Sequence, residues 1–289
     1  MKLKNILKKS KSNFVNMGPI RLRQPIPSFQ INDLDPFILL HHYGPYDISS
    51  DSNPFDLGPH PHRGFEPITF LIQGEQLHRD SLGNTSIVKE GDVQWTTAGK
   101  GVVHAEGPTS DFVEKGGKLE GIQLWLNLPA RHKLMNPAYQ HIRSAEMPLV
   151  NSEDEKITLK IVAGNYGNKV GGIETQTPVN AIWGKSEATG KHPIEINSGH
   201  AALIYLIKGD LTVNGEISLT EDGVRMLTFS SEGEGFSLLS NSSSEFLVLT
   251  GIPLKEKVAS HGPFVMNTQE EIQQALQDYQ AGEMGFLQD

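Results

Sequence analysis

The chain has 289 residues, 37% of them hydrophobic and 20% charged, and a formal net charge of −9. This is the composition of a folded protein with room for two ordinary domains, and its acidic balance argues against a broad nucleic-acid footprint and direct nucleic-acid binding. The absence of cysteine excludes disulfides and thiolate metal sites, so any metal has to be held by nitrogen and oxygen donors; it also fits a reducing, cytoplasmic compartment.

The first residues, Met1-Lys2-Leu3-Lys4-Asn5-Ile6-Leu7-Lys8-Lys9, are basic, and the lysines interrupt any apolar core of the kind a signal peptide needs. They read as a mobile basic arm over residues 1–20, with membrane-surface contact or a sorting role as weaker alternatives. No stretch approaches the roughly 20 apolar residues of a membrane span. Phe29-Gln30-Ile31 reads as a short strand and Pro36–Leu40 as a buried one. In His41-His42-Tyr43, which follows, adjacent side chains on a strand point to opposite faces, so only one histidine can face a site. Residues 44–59 carry Gly44-Pro45, Asn53-Pro54 and Gly58-Pro59 and form a loop.

His60-Pro61-His62 comes next, and His104-Ala105-Glu106 repeats its spacing. On a strand, residues i and i+2 point to one face, so each pair can offer both side chains to one point; on a helix they cannot. Two such strands side by side would surround one ion with three imidazoles and a carboxylate. Pro61 cannot donate a ladder hydrogen bond, which places its segment at a strand start or an edge. The intervening sequence supplies strands: Pro67–Ile72, Leu77–Asp80, Ser86–Val88, Val93–Thr97 and Val102–Glu106, separated by turns at short, regular spacing. That rhythm indicates an antiparallel barrel or sandwich. Glu66, four residues past His62, is either a hydrogen-bond acceptor for a ligand histidine or a strand-end partner of Arg63. Phe65, Trp95 and Trp125 are either pocket walls or plain core. In Gly121–Pro129, Ile122, Leu124, Leu126 and Leu128 share one face, while Gln123 and Trp125 share the other.

A second run of strands covers about residues 156–252, with Asn214-Gly215 as a hairpin signal. It repeats the first: Phe70-Leu71-Ile72-Gln73-Gly74 matches Tyr205-Leu206-Ile207-Lys208-Gly209, and Lys89-Glu90-Gly91 matches Glu221-Asp222-Gly223. On these anchors His60 and His62 fall opposite Glu195 and Asn197, and His104 and Glu106 opposite Phe236 and Leu238. The second copy therefore lacks the candidate ligands and reads as a scaffold, and His192 and His200 read as ordinary residues. At the C-terminal end, Thr268-Gln269-Glu270-Glu271 is a capping box, and Ile272, Ala275, Leu276 and Tyr279 follow at helical spacing up to Gly282. This is an amphipathic helix with a docking face.

His60–Glu66, His78–Asn84 and Asp92–Glu106 together closely resemble the pirin family, two-domain members of the cupin superfamily. Gln123–Pro129 and Gly262–Thr268 resemble pirin segments as well, whereas Pro253–Val258 departs from the family pattern. The resemblance implies an all-β fold of two consecutive cupin-type antiparallel β-sandwich barrels with a C-terminal helix. The expected divisions are residues 1–20 (arm), 21–135 (first barrel, with the metal site), 136–260 (second barrel, without ligands) and 261–289 (C-terminal segment with the helix). It implies one divalent metal on His60, His62, His104 and Glu106, typically Fe(2+), with Ni, Mn, Co, Cu or Zn as alternatives. Some pirins are similar in activity to quercetin 2,3-dioxygenases, which open the central ring of a flavonol with O₂ and release carbon monoxide. The implied partners are then a small aromatic or enolic substrate and O₂, with Glu106 as the candidate base. Other pirins are transcription coregulators or partners of metabolic enzymes, so the alternative is a non-enzymatic, iron-dependent regulatory protein with a protein partner.

Overall fold

The structure is a computed structural model and describes residues 1–32 and 34–287. It is mostly β, with 54% of residues in strands. The strands group into two compact units, each a seven-stranded antiparallel sheet plus a four-stranded one.

In the unit that holds the paired histidines, the larger sheet runs in the order Ala138–Ile142, Val93–Thr97, Phe65–Gln73, Gly117–Asn127, Phe37–Ile48, Ile20–Ile26 and Phe14–Met17. The smaller runs Leu57–His62, Val102–Gly107, Glu75–Asp80 and Thr85–Lys89. Val88, Leu71, Leu119, Tyr43 and Phe55 close one core between them, all buried. The strands form because alternating residues can put one face into that core and keep the other for a different environment. Pro61 sits on the edge strand of the smaller sheet, where its missing N–H costs no ladder bond.

The second unit repeats the plan. Its larger sheet runs Ile6–Ser10, Met226–Phe229, Ala201–Lys208, Ser244–Gly251, Val179–Ser186, Ile157–Ala163 and Leu149–Asn151; its smaller runs Lys191–Glu195, Gly235–Ser240, Asp210–Val213 and Ile217–Thr220. The expected repeat is thus present strand for strand. Two antiparallel barrels and, among the described residues, one helix of note, at the C-terminal end, make up the fold.

Three expectations are corrected. The basic N-terminal segment is a strand: Ile6–Ser10 pairs with Met226–Phe229, and Lys4 is buried with its Nζ 3.1 Å from the carbonyls of Ser230 and Ser231. An edge strand satisfies its backbone on one side and tolerates lysine on the other, so the charges that suggested a mobile arm are compatible with pairing. Phe29–Ile31 is not a strand; Ser28 and Ile31 exchange backbone hydrogen bonds across a turn, and Phe29 is fully exposed. The units are also not contiguous blocks of sequence. Residues 1–13 and 25–36 group with 146–253, and residues 14–24 and 254–289 group with 37–145.

The helix Gln269–Gln280 has the expected reciprocal capping box between Thr268 and Glu271. Its Ile272 and Ala275 pack with Val103, Phe264, Met266 and Met284. Asp278 on the same helix binds Arg63, in the turn after His62, at 2.6 Å. No helix among the described residues is long and apolar enough to cross a membrane.

Candidate metal centre

Strand pairing brings the two short motifs together. His60 lies directly across from His104, and His62 across from Val102. The register then shifts, so that Glu106 faces Leu57. Across its other edge the Val102–Gly107 strand pairs His104 with Asp80 and Glu106 with His78. The ring centroids of His60, His62 and His104 lie 4.4–4.9 Å apart. Glu106 Oε1 is 4.0 Å from His104 Nδ1. His60, His62 and His104 form one group whose candidate donor atoms lie within 4.8 Å of one another, and His78, His104 and Glu106 form a second.

The electrostatics suit a cation. His62 Nδ1 and both ring nitrogens of His104 are buried without a hydrogen-bond partner among the described residues. Such atoms are costly to leave bare and point to a missing partner. Burial lowers the His62 pKa to about 3 and holds His104 well below its ordinary value, so both rings are neutral and keep a lone pair. Neighbouring imidazoles add to both shifts. The carbonyl of Gly58 accepts from His60 Nδ1 at 2.8 Å, which leaves Nε2 as the free donor atom of that ring. Three imidazoles and a carboxylate form an N/O donor set that fits a divalent transition metal.

A second ring of residues braces the cluster. Gln94 Nε2 donates to Glu106 Oε1 and, at 3.1 Å, to Thr69 Oγ1, while the Tyr139 hydroxyl donates to Gln94 Oε1 at 3.3 Å. The Tyr139 bond fixes which way the amide faces and so points its N–H groups at Glu106. His78 stacks on Tyr139 with centroids 4.2 Å apart, donates from Nε2 to Asp80 at 3.2 Å, and sets Nδ1 3.9 Å from Glu106. Burial works to lower the His78 pKa, but Asp80 and Glu106 outweigh it and raise it. After His62 the chain turns at Gly64, φ +85°, where a Cβ would stand 2.0 Å from the Val265 carbonyl. The buried Lys133 ammonium clamps this turn through Gly64 O (2.8 Å), Val265 O (2.9 Å) and Asn127 Oδ1 (2.7 Å).

Beside His60 and His62 opens a cavity of about 460 Å³, whose lining includes Trp125, Gln123, His41 and Tyr43. Trp125 stands 5.6 Å from the His62 ring and 4.3 Å from Phe65. Gln123 and Trp125 therefore face a pocket rather than a neighbouring layer. Of the adjacent pair on Phe37–Ile48, His41 faces the cavity and His42 the other side, where it meets Glu120 at 2.9 Å.

Glu66 and Trp95 do not belong to the site. Thr69 and Gln94 point inward, and Glu66 and Thr97, three residues from each in their strands, point to the opposite face. Thr97 donates to Glu66 at 2.7 Å there. The expectation that Glu66 shares a face with His62 fails because the Gly64 turn separates their strands. Gln94, His78, Tyr139, Lys133 and the Gln24 partner of His41 were not assigned roles from the sequence. The one local signal was His78-Arg79-Asp80, which has the same one-residue spacing as the two ligand pairs.

The pirin family model matches residues 20–126, and that of the pirin C-terminal cupin domain matches residues 184–285. Human pirin is 33% identical over 269 residues, 92% of this chain and 88% of that protein. A quercetin 2,3-dioxygenase from Acinetobacter baumannii superposes with a TM-score of 0.88 at 35% identity, over 100% of both chains. A bacterial pirin from Escherichia coli, solved with nickel(II), shares the fold at a TM-score of 0.68 and 18% identity, over 86% of this chain and 100% of that one. With both barrels matched and the paired histidines in place, the chain belongs to the pirin family of two-domain cupins.

Proposed function

We propose that the protein is a metal-dependent dioxygenase that opens the ring of a flavonol-type enol. His60, His62, His104 and Glu106 hold one divalent ion, Fe(2+) in the first instance. The observation that carries this reading is the cavity of about 460 Å³ beside the histidines, walled by Trp125 and open to His60 and His62. A metal centre used only as a regulatory switch has no need of a preformed, largely apolar chamber. The A. baumannii structure, a quercetin 2,3-dioxygenase by name, supports the same class.

When bound, a divalent ion supplies Lewis acidity that favours the ionised form of an enolic hydroxyl. The chain's residues do the rest. Trp125, backed by the buried Phe65, is an aromatic wall against which a flat ring can lie. Glu106 is the base that takes the enolic proton, held in place by the Gln94 amide. O₂ then adds to the two ring carbons that flank the enolic carbon; the O–O bond and both C–C bonds to the enolic carbon break, that carbon leaves with its own oxygen as carbon monoxide, and the two O₂ atoms end in the ester carbonyl and the carboxyl group of the product, which takes back the proton from Glu106.

The test is to load the purified protein with Fe(II), add quercetin and O₂, and follow flavonol absorbance and carbon monoxide release. Turnover is expected, and His60→Ala and Glu106→Ala should each abolish it. Tight metal binding without turnover on Fe, Ni, Mn, Co or Cu would sink the dioxygenase reading and leave a metal-dependent binding protein. Activity that survives both substitutions would show that the ligands are misassigned.

A further inference from the structure

Among the polar side chains that line the cavity, His41 and Gln123 form a pair that takes no part in the candidate metal cluster. His41 and Gln123 lie directly across from each other on Phe37–Ile48 and Gly117–Asn127. Gln123 is two residues from Trp125, about 7 Å along an extended strand. Trp125 itself reaches the His62 ring at 5.6 Å. The floor therefore runs from the imidazoles, past an apolar stretch of Trp125 and Leu39, to a second polar pole.

The chemistry of that pole is specific. His41 Nε2 donates to Gln24 Oε1 at 2.8 Å, and Gln24 lies outside the cavity lining. That bond places the ring proton on Nε2 and leaves Nδ1 as a bare acceptor. Nδ1 has no hydrogen bond to any described residue. Burial lowers the His41 pKa to about 4, so the ring is neutral at ordinary pH. The Gln123 amide turns one N–H to the Ile68 carbonyl at 3.4 Å, so the bare acceptor at this pole is His41 Nδ1. A ligand that pairs with His41 Nδ1 has to bring a donor.

We propose that His41, with its tautomer set by Gln24, is a specificity-determining residue that accepts a hydrogen bond from a hydroxyl on the substrate ring remote from the metal cluster. The preferred substrate class is then a polyhydroxylated aromatic enol rather than a bare one. This inference rests on the flavonol reading of the site, and binding measured without O₂ separates the two.

The experiment uses the full-length, metal-loaded protein with two probes, quercetin and 3-hydroxyflavone, which share the enol and differ in the remote hydroxyls. Binding is followed anaerobically by quenching of tryptophan emission, and turnover separately in air. The native protein should favour quercetin. His41→Phe should weaken quercetin about tenfold, the scale of one buried hydrogen bond, and leave 3-hydroxyflavone within about twofold, with metal content unchanged. In turnover the same loss should appear in KM and not in kcat. His41→Asn, which keeps an acceptor near the Nδ1 position, should recover part of the preference. A preference that persists in binding without any turnover supports the pole and sinks the dioxygenase. Equal weakening of both probes, an unchanged ratio in His41→Phe, or binding of neither probe overturns the proposal.

Discussion

The two barrels share a topology and differ in what fills them. Register transfers each residue of the candidate metal cluster and its brace onto its counterpart. The Val102–Gly107 strand corresponds to Gly235–Ser240 and Leu57–His62 to Lys191–Glu195, with His60 opposite His104 where Ile194 is opposite Phe236. His62 then corresponds to Ile196, Glu106 to Leu238 and His78 to Val213. Thr69 and Gln94 correspond to Ile204 and Leu227. All seven counterparts belong to one buried apolar cluster. The same scaffold thus encloses either a packed hydrocarbon plug or a polar nest. The plug satisfies itself, whereas the nest leaves His62 and His104 nitrogens without protein partners. Only the second arrangement has a reason to recruit an ion.

The largest expected effect comes from making the first barrel resemble the second. A variant with His60→Ile, His62→Ile, His104→Phe and Glu106→Leu should fold and lose its metal. Metal content by mass spectrometry should fall from about one ion per chain to near zero, and any turnover with it. Thermal stability of the metal-free forms should be equal or higher in the variant, because replacing buried polar groups by packed apolar ones is neutral or stabilising. Stoichiometric metal retained by this variant would place the ion elsewhere.

A smaller effect lies on the opposite face of the sheet. Glu66 corresponds to Ala201 in the second barrel. Burial raises the Glu66 pKa to about 7, against a hydrogen bond from Thr97 that works the other way. A raised carboxyl pKa means the folded state holds a proton that the unfolded state has lost. Stability therefore falls as pH rises from the ordinary carboxyl value toward 7, and the deficit is complete above it. Glu66→Gln removes that dependence. The variant should gain up to about 3 kcal/mol on the native protein between pH 4 and pH 8, read from denaturant midpoints at the two pH values. An identical offset at both would show that the carboxyl titrates alike in the folded and unfolded chain.

How much of this was legible in the sequence depended on whether the information was local. His60, His62, His104 and Glu106 carry their strand-face relation in their own spacing, and two matched pairs are hard to produce otherwise. The repeat was legible from its Gly-terminated strands, but the counterparts of His60 and His62 were placed at Glu195 and Asn197, one residue from Ile194 and Ile196. A one-residue slip moves a side chain to the other face of the sheet, and only pairing with Gly235–Ser240 fixes the register. Gln94 and Tyr139 come from strands whose approach to Glu106 is set by tertiary register, so no window of sequence contains the relation. Glu66 failed for a local reason, the bend at Gly64. The Lys2–Lys9 segment is ambiguous in sequence because a lysine-rich stretch suits an edge strand as well as a solvated arm.

The smallest expected effect isolates the brace from the ligands. Gln94 is Leu227 in the second barrel, so Gln94→Leu places a residue there that the fold already accommodates at the equivalent position. The substitution removes the donor to Glu106 and leaves all four candidate ligands. Metal content should stay near one ion per chain, because imidazole and carboxylate donors are untouched. Glu106 would lose the bond that orients it, and kcat should fall about tenfold, ~1.4 kcal/mol of activation free energy, with KM little changed. Gln94→Glu retains the size and sets a second acceptor against Glu106, so it should be worse than leucine despite its closer shape. If leucine and glutamate prove equally active, the Gln94 amide serves packing alone. If leucine instead empties the site of metal, Gln94 supports the ligand set itself, and the residues needed to hold the ion, within the seven that distinguish the barrels, rise from four to five.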